Sequence, residues 1–330
     1  MEKTFLLMSL CVWFVSAARA WDYEGHRLVN RLALASLPKE FPAFALTPAA
    51  QDRIAFLAGE PDRWRNASDL ALKHANGPDH YIDVEELALV GLKPETLPPL
   101  RYDFIVQIAR ERAAHPEKFP AIDPAKNSDH TRELIGLLPW TIAEYYAKLK
   151  SEFSYLKAFE TSGGTPDEIA GAQANIIYTM GVMGHFVGDA SQPLHTTTHF
   201  NGWVGDNPKH YATTNKFHTW IDGGFILKAR VEDDFADMKK KLRAPQAVPA
   251  DKFFTSLVTF LVEQNQLVEP LYQMDKDGKL SGEGDVASGK ALIEGQLVKG
   301  GQLLGDIWYS AWQQAPVDTY LQRQLEKRRR

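Results

Sequence analysis

The chain has 330 residues, enough to bury a substantial core, and its 44% hydrophobic and 24% charged residues are typical of a soluble globular protein. Its formal net charge of −5 excludes a generally basic surface for binding polyanions such as nucleic acids. Any site that binds phosphate must therefore be a local one. The only cysteine is Cys11, which excludes a domain held together by internal disulfides.

The first twenty residues have the pattern of a secretory signal peptide. Lys3 provides a positive start, residues 5–17 are apolar, and Ala18-Arg19-Ala20 is typical of a cleavage site. A core helix or a membrane anchor is the competing interpretation, but the apolar run is too short to span a bilayer and no later segment replaces it. We therefore expect residues 1–20 to be removed before Trp21, residues 21–330 to form a single domain, and the mature protein to be secreted or periplasmic.

Helical periodicity dominates the rest of the chain. In chain order, it predicts helices at about 23–36, 48–58, 102–115, 130–150, 166–190, 251–272, 287–313 and 316–327. Runs of alternating β-branched residues are nearly absent, so we expect an all-α fold. Residues 196–217 are rich in Thr, Asn, Gly and aromatics and are predicted to form a long loop of the kind that carries function.

Two His-x3-Asp pairs are the strongest chemical signal. His185 and Asp189 lie four residues apart in a predicted helix, as do His218 and Asp222 after the long loop, so each pair can share one helix face and hold one ion. Pro193 should end the first helix and turn His195 towards the same region. Imidazole and carboxylate together suit zinc, although ten histidines in a chain with 42 acidic residues should give about one such pair by chance.

Three further segments carry the same residue types. They are Trp21-Asp-Tyr-Glu-Gly-His26, Asp62 in Pro-Asp-Arg-Trp-Arg65, and His80 in Asp-His-Tyr-Ile-Asp83. Taken separately, each has an equally good structural interpretation, since His26 can be a surface residue, Asp62 a charge at a helix end and His80 a core residue.

Together these segments resemble one family. From Trp21 through Asp222, the chain resembles the trinuclear-zinc nucleases of the S1/P1 type, which share a superfamily with bacterial zinc phospholipases C. The shared motifs, in order, are Trp-x4-His directly after the predicted cleavage site, Asp-x2-Arg, His-Tyr-Ile-Asp, Gly-His-x2-Gly-Asp-x2-Gln-Pro-Leu-His and His-x3-Asp. The resemblance implies a single, mainly helical domain with a trinuclear zinc cleft.

It also implies a set of ligands for three Zn²⁺ ions. One zinc would be held by Asp62, His80, His185 and Asp189; a second by the α-amino nitrogen and carbonyl oxygen of Trp21, with His26 and the shared Asp189; the third by His195, His218 and Asp222. An amine binds zinc only when it is free, so the precursor, in which the Trp21 nitrogen is an amide, could not complete the site. His74, His115, His130, His199 and His210 are expected to be non-ligands.

The expected activity is that of a zinc-dependent endonuclease. A hydroxide bridging two zincs would attack phosphorus, with Asp62 and Arg65 as catalytic residues and Arg65 clamping the phosphoryl oxygens. Arg65 could instead form only a surface salt bridge. By resemblance, Tyr81 would stack on a base and Asp83 would accept from the base edge; both could also be structural, Tyr81 by packing and Asp83 by capping a helix.

The expected substrate is single-stranded DNA or RNA, cut to 5′-nucleotides, with 3′-nucleotidase activity as a further option on the same residues. We expect a monomer without an obligate protein partner and without a transmembrane segment. The alternatives are a zinc phospholipase C acting on phospholipid head groups, and a non-catalytic, zinc-stabilised binding protein. Asp222 and the 23-residue step from His195 to His218 favour the nucleases over the phospholipases C within this superfamily. The loop 196–217 departs from the family's Gly-Gly-Asn segment, so the substrate is the least secure part of the resemblance.

Overall fold

The computed structural model describes residues 21–328; the predicted signal peptide, residues 1–20, lies outside the described residues. The α-helices are α1 Tyr23–Ser36, α2 Pro48–Leu57, α3 Glu60–Arg65, α4 Leu70–Asn76, α5 Arg101–Ala114, α6 Leu138–Ser162, α7 Pro166–Ser191, α8 Phe217–Thr219, α9 Phe225–Lys228, α10 Phe235–Lys240, α11 Phe253–Asn265, α12 Val268–Lys276, α13 Ala287–Gln314 and α14 Thr319–Arg328. Short 3₁₀ segments include Gly77–His80, Val84–Val90 and Pro193–Thr196, and a π-helical turn spans Trp220–Gly224.

The all-α expectation is confirmed for the described residues, which contain no β-strand and only one isolated bridge, between Ile82 and Gly136. No helix in this part of the chain is long and apolar enough to cross a membrane. The buried apolar side chains form one continuous cluster, in which the largest members include Trp21, Trp140 and Trp308.

Two predicted helices were wrong in extent. The helix expected at 130–150 begins only at Leu138, because Gly136 adopts a left-handed φ of +96° and its backbone lies against the carbonyl of Tyr81. The helix expected at 251–272 is two helices, α11 and α12. Pro270 explains the break, since it has no N–H and would clash with the carbonyl four residues earlier in a continuous helix.

Helix α7 is the centre of the fold, with α1, α2, α6 and α13 packed around it. Its first turn is fixed by a capping box in which Thr165 and Glu168 each accept from the other's backbone N–H. Glycines let the neighbouring helices approach it closely. A Cβ at Gly184 would lie 1.6 Å from Oδ1 of Asn30 on α1, and Asn30 in turn donates to the backbone carbonyls of Ile54 and Gly181.

The C-terminus of α7 turns sharply, as Pro193 predicts. The helix ends at Ser191, and the following 3₁₀ turn brings Nδ1 of His195 to 3.5 Å from Oδ1 of Asp189. The expected long loop is also present, with no regular helix or strand between Thr196 and Phe217. The ring of Trp203 stacks on that of His199 at 4.0 Å. The Tyr272 hydroxyl accepts from the N–H of Gly202 and donates to the carbonyl of His199. Ring stacking and these hydrogen bonds therefore hold the loop.

Candidate metal centre

Eight of the predicted ligand side chains converge in the interior. They form three groups whose nitrogen and oxygen atoms lie within 4.8 Å of one another: His26, His185 and Asp189; Asp62, His80 and His185; and His195, His218 and Asp222. All eight are buried, although they come from segments as far apart as α1 and the π-helical turn. Each group is therefore a candidate metal site.

The first predicted set, Asp62, His80, His185 and Asp189, is assembled around α7. His80 Nδ1 lies 3.0 Å from Oδ2 of Asp189 and 2.9 Å from Nε2 of His185. His185 Nε2 is 3.4 Å from the same Asp189 oxygen and 3.9 Å from Oδ1 of Asp62. These separations are close to those between ligands that share one small cation, whose bonds to nitrogen and oxygen are about 2.0–2.2 Å long.

The second predicted set shares Asp189 through its other oxygen. Oδ1 of Asp189 lies 3.5 Å from Nε2 of His26. The other oxygen, Oδ2, contacts His80 and His185, so the carboxylate lies between the two sets. The His26 ring also stacks on His185 at 3.9 Å, which places His185 in both groups. The family resemblance places His185 in the first set alone.

Trp21 lies beside the second set. Its side chain is fully buried, and its indole Nε1 donates to the carbonyl of Gly188, one residue before Asp189. Its own carbonyl accepts a long hydrogen bond from the backbone N–H of His26. The backbone of Trp21 is thus held next to His26, and its role as an amine and carbonyl ligand stays a prediction.

The third set is the most compact. His218 Nε2 lies 2.9 Å from Nε2 of His195 and 2.9 Å from Oδ2 of Asp222. The π-helical turn that begins at Trp220 brings Asp222 onto the same face as His218. Gln192, at the end of α7, donates from Nε2 to Oδ1 of Asp222 at 2.5 Å and fixes the carboxylate.

Backbone carbonyls set the orientation of two imidazoles. His185 Nδ1 donates to the carbonyl of Ala58 at 2.7 Å, and His195 Nδ1 donates to the carbonyl of His80 at 2.5 Å. A carbonyl can only accept, so each Nδ1 carries the proton and each Nε2 offers a lone pair to the cluster. Metal-binding histidines are commonly held in this way.

Burial keeps the imidazoles neutral. It lowers the pKa of His195 and that of His218 to about 3, and it lowers the pKa of His26, His80 and His185 well below the ordinary value. The same burial raises the pKa of the Asp189 carboxyl and that of Asp222, and the nearby positive charge of Arg65 offsets this rise only in part. A cation among neutral imidazoles would offset the rest.

Several polar atoms of the cluster have no hydrogen-bond partner within the described chain. They are Nδ1 and Nε2 of His26, Nε2 of His80, Oδ1 of Asp189, Nδ1 of His218 and Oδ2 of Asp222. Buried polar atoms are rarely left unpaired in folded proteins, so a concentration of them indicates a ligand. Imidazole nitrogens with carboxylate oxygens are a donor set that fits zinc.

Arg65, predicted to be catalytic, contacts the cluster, and the predicted substrate-binding residues Tyr81 and Asp83 follow His80 in the chain. Arg65 Nε lies 2.9 Å from Oδ1 of Asp62, and its side chain is 17% exposed. Tyr81 and Asp83 flank Ile82 and are partly buried, and burial raises the pKa of both side chains, with Asp83 further affected by the nearby Glu86. Asp83 stands at the N-cap of a 3₁₀ helix without a side-chain capping bond, so the capping alternative is not supported by its geometry.

The remaining histidines lie outside the three groups, and their interpretation as non-ligands stays a prediction. His74 Nδ1 contacts the carbonyl of Asp129, and His199 is stacked on Trp203. Sequence reasoning missed the contribution of Gln192, although the residue is part of the Gln-Pro-Leu-His motif and that motif was its only signal.

No protein-family model matches the chain, and a search of curated proteins finds no match.

Proposed function

We propose that the chain is a zinc-dependent phosphodiesterase that cleaves single-stranded DNA or RNA. The observation that carries the proposal is the buried convergence of eight histidine and aspartate side chains, several with unpaired atoms, from segments between His26 and Asp222. Neutral imidazoles and carboxylates in one water-poor site are what divalent metals require. They have no comparable structural use without a cation.

We propose three zincs for these donor groups. Asp62, His80, His185 and Asp189 would hold the first; the Trp21 amine and carbonyl, with His26 and Asp189, the second; and His195, His218 and Asp222 the third. When bound, such metals act as Lewis acids, offset phosphate charge and lower the pKa of water.

The third set favours catalysis over a structural role. His195, His218 and Asp222 supply three protein ligands, whereas structural zinc sites usually have four and are closed to other ligands. A binding protein that used zinc only for stability would be expected to complete this set. A zinc held by these three side chains would keep a position for water or substrate, and for this reason we prefer an enzyme to the non-catalytic alternative.

The chain's own residues would bind and orient the phosphodiester. Arg65 lies at the edge of the cluster, and its fixed positive charge can hold phosphoryl oxygens as negative charge develops on them. Tyr81 would stack on a base and Asp83 would accept from its edge. Both are carried by the segment that follows His80, so the base and the metals would be positioned by one stretch of backbone.

A phospholipase C remains a second candidate because of one surface feature. Phe200 is 43% exposed and its ring lies 5.7 Å from that of His218, and Val204 in the same loop is 59% exposed. An apolar rim beside a metal site is also expected of an enzyme that acts on lipids. The substrate test must therefore include phospholipid.

The experiment uses protein with Trp21 as its first residue. We expect about three zincs per molecule, cleavage of single-stranded DNA or RNA, and loss of activity with a chelator that zinc restores. His218→Ala should abolish cleavage, whereas His115→Ala, the same substitution outside the three groups, should not. Hydrolysis of phosphatidylcholine without cleavage of nucleic acid would overturn the substrate, and full activity of metal-free protein would overturn the mechanism.

A further inference from the structure

Three arginines on α1, α2 and α3 alternate with two aromatic rings on the surface. The guanidinium of Arg27 lies 5.2 Å from the centre of the Tyr23 ring, and that of Arg63 lies 5.7 Å from the same ring. Arg63 also lies 4.7 Å from the Phe56 ring, which Arg53 contacts at 5.5 Å. We name Arg27, Arg63 and Arg53 the arginine row; each neighbouring pair shares one ring.

The arginine row is open to solvent and weakly engaged. The side chains of Arg27 and Arg63 are 40% and 44% exposed, and their partners are the carboxylates of Glu24 at 3.7 Å and Glu60 at 2.6 Å. Exposed ion pairs of this kind contribute about 0–1 kcal/mol, so a phosphate can replace them. Within residues 21–328, Arg53 forms no ion pair, and the buried Nε of Arg27 has no acceptor.

The row is linked to the metal cluster through the turn between α2 and α3, where the carbonyl of Ala58 accepts from Nδ1 of His185. Arg27 follows His26 in α1, and Arg63 follows Asp62 in α3, so two of the three arginines are adjacent in sequence to proposed ligands. The ring of Tyr23 covers the turn between α2 and α3, where a Cβ on Gly59 would lie 2.7 Å from it. The helices that carry ligands inward thus carry the row on another face.

We propose that the arginine row binds backbone phosphates of the substrate strand, beyond the phosphodiester that is cleaved. This inference rests on the proposed function. A guanidinium over a ring has an N–H edge that matches two phosphate oxygens, which would replace Glu24 at Arg27 and Glu60 at Arg63. The rings hold the three charges in place before binding, which lowers the entropic cost of ordering them.

A nucleic acid fits this surface better than a membrane. Insertion into a bilayer needs exposed apolar faces, but Tyr23 and Phe56 are each contacted by two guanidiniums. Single-stranded nucleic acids are commonly bound by positive grooves that contain aromatic residues. The row would provide a local positive surface on a chain whose net charge is −5.

The test compares two triple variants with the same change in charge. One is Arg27→Gln, Arg53→Gln and Arg63→Gln; the control is Arg110→Gln, Lys299→Gln and Arg323→Gln, all exposed and outside the row. The ratio of kcat/KM for a 20-nucleotide strand to that for a dinucleotide should fall at least about tenfold in the first triple only. The slope of log affinity against log salt should decrease by about 2, since each phosphate contact contributes roughly 0.7 for a single strand.

Binding is measured separately from cleavage, by fluorescence anisotropy of a phosphorothioate 20-mer on the zinc-loaded protein. If wild-type protein cleaves neither substrate, the proposed function fails, while the anisotropy still tests the row. Equal losses in both triples, or an unchanged salt slope, would overturn the inference. So would a variant that keeps oligonucleotide affinity but no longer binds phosphatidylglycerol vesicles. If the triple does not fold, Arg53→Gln alone should reduce the slope by roughly 0.7.

Discussion

Gly188 in α7 decides how closely His26 can approach the cluster. A Cβ at this position would lie 2.6 Å from Nδ1 of His26, about 0.8 Å inside the 3.4 Å limit of ordinary contact, and 3.7 Å from Cδ1 of Trp21. Gly188→Ala should therefore displace His26 by several tenths of an ångström or more. Zinc ligands tolerate about 0.2 Å, so we expect the metal held through His26 to bind about 10–100-fold more weakly.

Gly171→Ala in the same helix is the matched control, because a Cβ there meets nothing within 4 Å. It should stabilise the protein by about 0.5–1 kcal/mol through helix propensity. In Gly188→Ala the same gain is opposed by an overpacking cost of about 1–3 kcal/mol. Zinc titration with elemental analysis and thermal unfolding measures both effects; equal zinc affinity and equal shifts in melting temperature in the two variants would refute the reasoning.

Three further outcomes are expected. Burial raises the pKa of the Glu152 carboxyl from 4.5 to about 7, although a hydrogen bond from Thr179 opposes the rise. Between these two pH values the folded protein keeps a proton that the unfolded chain loses. The free energy of unfolding should therefore fall as the pH rises from 4.5 to 7. Glu152→Gln should remove this fall, which is at most roughly 3 kcal/mol before solvent screening. Urea unfolding at pH 5 and pH 7 measures it. The same difference in unfolding free energy between the two pH values in both proteins would contradict the prediction. Gln192→Met removes the hydrogen bond that fixes the Asp222 carboxylate, so zinc should bind at the third set about 10–100-fold more weakly. Zinc titration measures this affinity, and an unchanged value would exclude a positioning role for Gln192. An extra alanine before Trp21 should reduce zinc content and rate relative to protein that starts at Trp21; equal values would remove the amine from the ligand set.

Local signals predicted much of the fold. Helix α1 starts after Asp22, whose side chain accepts from the first turn, and α7 starts with the Thr165–Glu168 capping box, so both boundaries are encoded within a few residues. The late start of α6 was not predictable in this way. It depends on the contact between Gly136 and the carbonyl of Tyr81, which are distant in sequence.

The same distinction applies to the site. The pairs His185–Asp189 and His218–Asp222 follow from helical spacing, and the structure places each pair together. The approach of His80 to His185 is a tertiary contact across 105 residues, which only a resemblance between motifs could suggest. The sharing of His185 between two groups has no sequence signal, since it results from the stacking of two rings carried by α1 and α7.

The helix packing and the candidate metal centre are one unit because the same segment of α7 serves both. Gly184 admits Asn30 and Gly188 admits His26, so α1 lies close enough for His26 to reach Asp189. Any change that separates the two helices should therefore remove core contacts and proposed metal ligands together. Residues in contact do not contribute additively, so the effects of Gly184→Ala and His26→Ala on zinc affinity should overlap rather than sum, because the first already withdraws the ligand that the second deletes.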